Sequence, residues 1–515
     1  MERSALQVVI LFSAITLLGI IGIWARNKVK DHEDMSVAGR TSTASSIFWS
    51  TFAFWGGNTI ISIIELACNL GVVAIWFGIA RWIMFLVILM VCTGPFRSVA
   101  MVTLSEFIGR NFKSETLKII TGANIGFNFV FLLVSAIVGA QAFFVTLLGW
   151  STTQAVIFTV ISFLIYTTLA GMYGVTYTSK IIAIGQMAAL VIAAAWAVHA
   201  VGFDNLLKLD KSYYNFLPQK NYSTILMWVY SFLNNAFLAQ AAIQIIMSCK
   251  TVEEGKRGIK YILAAFIPTI VLSVILGMAA KALYPTIKGI QAAPMVASNI
   301  PSPIISTLVV LGLYFTALGW GAPLVLSGGT CFANDVYHAF KKKATSRELV
   351  FVMRLGIIFI ALVSILFAVA LPFGVEYWVI VGFVARNTAL FPLILAAMFW
   401  KLLSKRWAIV ASIAGMIVGF GWYLIKYPKF LFDAHPMFVG MIASMTVLIL
   451  GTLWEYRGNI ALNTSGRVGK WGASLTSISI AVILITIGYA PSLHKIGVFV
   501  PFLCIACNVT FLGVL

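Results

Sequence analysis

Of the 515 residues, 61% are hydrophobic and only 10% charged, with a mean hydropathy of +0.99; a soluble protein carries about 25% charged residues. The composition describes an all-α polytopic membrane protein with no separate soluble domain. The net charge of +19, from 35 basic and 16 acidic residues, sits mostly in short loops with no aromatic-interleaved basic patch. The charge therefore does not point to a nucleic-acid partner, and none is expected; it matches the Lys/Arg excess of cytoplasmic loops.

A membrane span needs about 20 apolar residues. On that rule fifteen are expected, near 7–24, 44–70, 72–94, 118–149, 153–171, 178–201, 223–248, 259–282, 303–334, 351–371, 376–400, 407–425, 436–454, 472–490 and 496–515. The first apolar run follows only Arg3 and lacks a small-residue cleavage site, so it reads as a retained span and not a signal peptide. Arg26, Lys28, Lys30 and Arg40 follow the first span; Arg97, Arg110, Lys113 and Lys118 the third; Lys250, Lys256, Arg257 and Lys260 the seventh. Lys341, Lys342, Lys343 and Arg347 follow the ninth, and Lys401, Lys405 and Arg406 the eleventh. Alternating spans put all these loops on one, cytoplasmic side, with the N-terminus outside and the C-terminus inside the plasma (bacterial inner) membrane. The longer connections Gly202–Tyr222 and Leu283–Ser302 fall outside, as candidate gates or lids.

The second span is interrupted at its middle by Gly56-Gly57-Asn58-Thr59, after Phe54-Trp55. Two readings stand side by side. A helix unwound there would expose backbone at the midplane, as transporters do at binding sites; a continuous one would use the glycines as a packing surface. Five spans later Asn234, Asn235, Gln240 and Gln244 interrupt another apolar run, which is what two five-helix halves would require.

Few ionisable residues lie inside the spans, and each is a functional candidate. Arg81 is either an ion-pair partner for Glu65 or a planar fork for a carboxylate, the second being favoured. Arg386, beside Asn387 and Thr388, either lines a pocket or partners backbone carbonyls. Glu106 and Asp335 lie near cytoplasmic helix ends. Cys504-x-x-Cys507 reads as packing, and the five His fall near span ends, so no metal site is expected. No triad, phosphate loop or catalytic carboxylate pair is found, which argues against an enzyme.

Six motifs appear in order: Gly39-Arg40, Leu104-Ser105-Glu106-Phe107-Ile108-Gly109-Arg110, Gly171-Met172-Tyr173-Gly174-Val175-Thr176-Tyr177-Thr178, Met247-Ser248-Cys249-Lys250, Asn334-Asp335-Val336-Tyr337 and Phe399-Trp400-Lys401. Together they resemble the sodium:solute symporter family, which includes sodium–glucose, proline and sialic acid transporters. The resemblance implies the leucine-transporter-type fold: a 5+5 inverted-repeat core over 44–425, with an extra N-terminal span and loop at 1–43 and extra spans at 436–515, about 14–15 transmembrane helices in all. In that fold the first and sixth core helices, here Ala44–Leu70 and Tyr222–Ser248, are broken.

The resemblance also implies a coupling sodium between the first and eighth core helices. The matching positions here are Ala53, Gly56, Thr316, Gly319 and Trp320. The last two depart from the family, since neither Gly nor Trp brings a side-chain oxygen to a hard cation. Ser179 and Lys180 stand where the family has an Asp on the ion's route.

The expected function is therefore a symporter-like secondary transporter of a small polar, carboxylate-bearing solute, with a degenerate sodium site. The alternatives are a sodium-coupled symporter with a rearranged site, or a transporter-derived membrane sensor. Trp55, Gly56, Asn58, Arg81, Asn235 and Gln240 are the expected substrate contacts; Glu65, Lys180 and Arg386 are gate or coupling candidates. No cofactor is expected beyond a coupling Na+ or H+, and no partner beyond the solute and the bilayer.

Overall fold

The computed structural model describes residues 3–371, 373–400, 402–424, 435–456 and 467–514. Lys401, and parts of the connections around the last spans, lie outside the described residues, as does the Cys504 side chain.

The chain reaches its core through a side-chain cap: Thr43, in extended backbone, accepts from the Ser46 amide and starts a 27-residue helix. The main helices are α1 (Arg3–Arg26), α2 (Ala44–Leu70), α3 (Ile75–Val87), α4 (Glu115–Leu148) and α5 (Thr152–Val201). Then come α6 (Tyr222–Leu238), α7 (Gln240–Met247), α8 (Val252–Leu283), α9 (Pro303–Cys331), α10 (Ser346–Ala370) and α11 (Val375–Phe399). The last four are α12 (Lys405–Leu424), α13 (Pro436–Tyr456), α14 (Arg467–Gly488) and α15 (Phe499–Val514). Among the described residues there is no strand, only an isolated bridge between Ser42 and Cys249. It pins the start of α2 to the end of α7, through Ser42 N to the Ser248 carbonyl and Lys250 N to the Ser42 carbonyl, both 2.9 Å.

Nine helical runs among the described residues are long and apolar enough to cross a membrane, ten with the bent pair α6–α7. One of them, Ala44–Ser98, contains two of the expected spans, turning at Gly71 (φ 77°, ψ −146°). Similarly, α5 holds two expected spans divided at Gly171. There φ is 52° and ψ −131°, a conformation open to glycine, and a Cβ would sit 2.4 Å from the Met35 carbonyl oxygen. In the core, α2 packs against α5, α8 and α9, while α11 packs against α4 and α6.

The expected break in the first core helix is absent: α2 runs continuously through Gly56-Gly57. A glycine costs a helix about 1 kcal/mol, and close packing offsets that here. A Cβ on Gly57 would lie 2.0 Å from the Thr316 carbonyl oxygen of α9. Across the same contact, a Cβ on Gly319 would lie 2.2 Å from the Ala53 carbonyl oxygen. The glycines let two backbones touch, so the packing alternative holds at this doublet. The sixth core helix does break. Ala239 (φ −73°, ψ 67°) separates α6 from α7, and the two are bent by 42°.

Candidate functional site

The α6–α7 break is held open by side chains on either side of it. Asn235, one turn before it, accepts from Arg386 Nη2 of α11. Gln240, just after it, donates to the Val102 carbonyl at 3.1 Å and accepts from the Leu104 amide at 2.7 Å. Gln244, one turn on, donates to the Ser36 carbonyl at 2.7 Å and to Thr330 Oγ1 at 3.0 Å. At the bend lies a narrow cavity of about 10 Å³, room for about one water, lined by Trp55, Phe129, Asn235, Ala239, Gln240, Trp320, Phe383 and Arg386. A second, of about 20 Å³, is lined by Gly57, Asn58, Ser135, Thr316, Trp320 and Val375. Trp320 walls both. Its ring stacks on Phe54 with centroids 4.5 Å apart, and its indole N–H donates to Ser135 Oγ at 3.1 Å.

Two arginines stand beside these cavities, both buried. Arg81, from α3, donates through Nη1 to Thr59 Oγ1 at 2.6 Å and through Nη2 to Asn58 Oδ1 at 2.7 Å. Its Cζ lies 4.9, 5.0 and 4.5 Å from the ring centroids of Trp55, Phe77 and Phe232. Thr59, which receives one of these bonds, donates its own hydroxyl hydrogen to the Trp55 carbonyl. Arg386 donates to Asn235 and, through Nε at 3.2 Å and Nη2 at 3.0 Å, to Asn387 Oδ1. Among the described residues no carboxylate forms an ion pair with either arginine. Neutral acceptors and ring faces alone surround two guanidinium groups, so the site is cationic and receptive to an anion.

The expected substrate contacts are thus distributed. Trp55, Asn235 and Gln240 share the first cavity with Arg386, and Asn58 faces the second. Gly56 packs toward Gln186, where a Cβ would lie 3.1 Å from the amide oxygen. Arg81 lines neither cavity and sits behind Asn58 and Thr59. Lys180 is exposed on α5. Glu65 is half-buried beyond the second cavity, facing Gly374, whose Cβ would lie 3.3 Å from its Oε1. The 203–221 connection covers that end of α2: Tyr213 OH donates to the Cys68 carbonyl at 3.1 Å and Trp76 Nε1 to the Phe216 carbonyl at 2.9 Å. At the opposite, basic-loop end, Thr103 Oγ1 donates to Asp335 Oδ1 at 2.6 Å. Beside it Arg40 Nη2 donates to the Ala100 carbonyl at 2.6 Å, and Arg97 Nε to the Cys249 carbonyl at 3.0 Å.

At the position implied for sodium the structure holds a side chain that the sequence reading passed over. Gln186 of α5 donates to the Ala53 carbonyl at 3.1 Å and the Phe315 carbonyl at 3.0 Å. The Thr316 hydroxyl donates to its own helix, to the Leu313 carbonyl at 2.5 Å. The signal was available: Gln186 is the one amide in the apolar run Ile181–Trp196.

The model of the sodium:solute symporter family matches residues 36–415. An uncharacterized symporter, YwcA of Bacillus subtilis, is 25% identical over 367 residues, 66% of this chain and 71% of its own. A monocarboxylic acid transporter of Corynebacterium glutamicum is 22% identical (66% and 69% covered), and the high-affinity proline transporter PutP of B. subtilis 23% identical (67% and 75%). Among solved structures, a Na+-coupled sialic acid symporter in a substrate-bound outward-open state superposes with a TM-score of 0.74, covering 88% of this chain and 98% of its own at 18% identity. Mhp1, a nucleobase-cation-symport-1 family transporter, gives 0.55 over 82% and 94% at 14% identity, and these two likenesses establish a leucine-transporter-type fold. With its family model spanning most of the sequence, the chain belongs to the sodium:solute symporter family.

Proposed function

We propose that this secondary transporter moves a small carboxylate-bearing solute by alternating access, and that the solute binds at the α6–α7 bend, where the narrow cavity widens to admit it, with Arg386 as its anion contact. The observation that carries this is the absence of any carboxylate ion-paired to Arg81 or Arg386 among the described residues. A charge inside a membrane is costly unless paired, and a solute carboxylate supplies the pairing. Arg suits this because its fork binds a carboxylate bidentately. Arg81, sealed behind Asn58 and Thr59, adds positive potential without touching the solute. The relatives lend support: a monocarboxylic acid, proline and sialic acid each carry a carboxylate.

We read the α2–α9 junction as one that takes no sodium, so that coupling is to protons, to exchange, or absent. The basic loops are assigned to the cytoplasm, with the N-terminus outside. The test is uptake into proteoliposomes of radiolabelled monocarboxylates, amino acids and neutral sugars, in sodium and in choline buffers, with and without a pH gradient. Uptake of an acid or zwitterion, competed by other carboxylates, is expected; uptake confined to a neutral sugar would refute the assignment.

A further inference from the structure

Gln186 is fully buried between α2 and α9. A carboxamide nitrogen carries two hydrogens, and here each goes to a carbonyl of a different helix. Because both partners only accept, the nitrogen and not the oxygen must face them. A Cβ on Gly319 would lie 2.8 Å from that nitrogen, so the glycine at 319 is what admits the amide.

We infer that the Gln186 carboxamide substitutes for the coupling cation, joining α2 to α9 at the place where the family resemblance implies sodium. The inference rests on the reading that this junction takes no sodium, and it names the group that does the ion's work. Since α2 is continuous, the Ala53 carbonyl keeps its helical partner and offers only a second lone pair; the Phe315 carbonyl of α9 is in the same position. A hard cation takes roughly six oxygens. Gly319 and Trp320 bring no side-chain oxygen, and the Thr316 hydroxyl, which donates to its own helix, is the one side-chain oxygen of the implied set. The spare lone pairs of the Ala53 and Phe315 carbonyls match the two N–H hydrogens, and even with the Thr316 hydroxyl they fall short of a shell of roughly six oxygens. A donor fixed to α5 cannot dissociate, so the contact between these helices is independent of salt.

The experiment is thermal unfolding of the purified full chain in detergent, at a pH of about 8 so that a carboxyl at 186 is driven toward its charged form, in sodium chloride or choline chloride of equal ionic strength. Sodium itself is the probe. For the wild type the same midpoint is expected in both salts. Gln186→Glu replaces the donor by an anion facing two carbonyls, and should be stabilised by sodium over choline by at least about 3 °C. Gln186→Met keeps the volume without the hydrogens, and should unfold at least about 3 °C below wild type in either salt. A saturable sodium shift in the wild type would overturn the inference, as would a sodium-indifferent Gln186→Glu. If Gln186→Glu yields no folded protein, Gln186→Met decides, and a wild-type midpoint there would overturn the inference. No organic solute enters the assay, so its failure leaves the carboxylate assignment standing, and the reverse also holds.

Discussion

The two core helices expected to be broken behave oppositely, and the contrast separates a local signal from a tertiary one. In α2 two glycines sit at the midpoint and the helix continues; in the α6–α7 pair no glycine or proline is present, yet the chain bends by 42° at Ala239. The glycines are used up by contact with the Thr316 carbonyl and with Gln186. The bend is held from outside, by Arg386 on Asn235 and by Val102 and Leu104 on Gln240. Helix geometry here follows which polar groups find partners across the bundle, more than the intrinsic preference of the residues at the break. At one junction the two backbones touch at the glycines; at the other a cavity opens beside Arg386.

The contrast breaks most directly at the cation that lines the cavity. Arg386→Gln should weaken binding of the carboxylate solute at least about 100-fold, roughly 3 kcal/mol, by removing a desolvated charge pair. Arg386→Lys should recover little of this, because an ammonium cannot form the planar two-point contact. Arg81→Gln should cost about tenfold or less, acting through potential alone. Affinities from uptake competition check all three, and an Arg81 effect larger than that of Arg386 would reverse the assignment.

At the α2–α9 contact, Gly57→Ala drives a methyl into the Thr316 carbonyl and should destabilise by about 2–3 kcal/mol. Gly421→Ala, on α12 with no atom within 4 Å of its Cβ position, is the control; thermal unfolding should rank the two clearly.

Smaller is the expected effect of Gln240→Leu. It leaves the Leu104 amide and Val102 carbonyl without their partner, at about 1–2 kcal/mol. Faster amide exchange at Leu104 would report the loosened closure.

The smallest effect lies away from both junctions. Burial, with a further push from His338, lowers the His32 imidazole to about 4. Ser36 Oγ contacts its Nε2 at 3.3 Å. Unfolded, the ring takes a proton near the ordinary value of about 6.5. The folded state therefore binds fewer protons, and stability is lost as pH falls from about 6.5 toward 4. The ring is partly exposed, so the loss should be only about 1 kcal/mol; His32→Asn should flatten it in thermal unfolding run across that range.

What could be read ahead of the structure divides along the same physical line. Asn234, Asn235, Gln240 and Gln244 marked the α6–α7 bend, because amides in an apolar run must find partners. The Gly56-Gly57 doublet misled, because a glycine reports equally a weak helix and a close neighbour, and only the position of α9 decides. Arg81, read as a fork for a carboxylate with Glu65 as the lesser alternative, meets Asn58 and Thr59, two helical turns nearer the midplane than Glu65. Hydropathy gives depth along a helix but not which face turns inward. Gln186 was legible as an isolated amide, but its two partners lie 129 and 133 residues away in sequence.

The central claim is that the guanidinium at the bend receives a solute carboxylate. Its most direct test is a thermal-shift screen of the purified chain and of Arg386→Gln against small carboxylic acids and their uncharged amides. The account predicts that at least one acid stabilises the wild type while its amide does not, and that Arg386→Gln loses the response. Equal stabilisation by acid and amide, or a response that survives in Arg386→Gln, would contradict it.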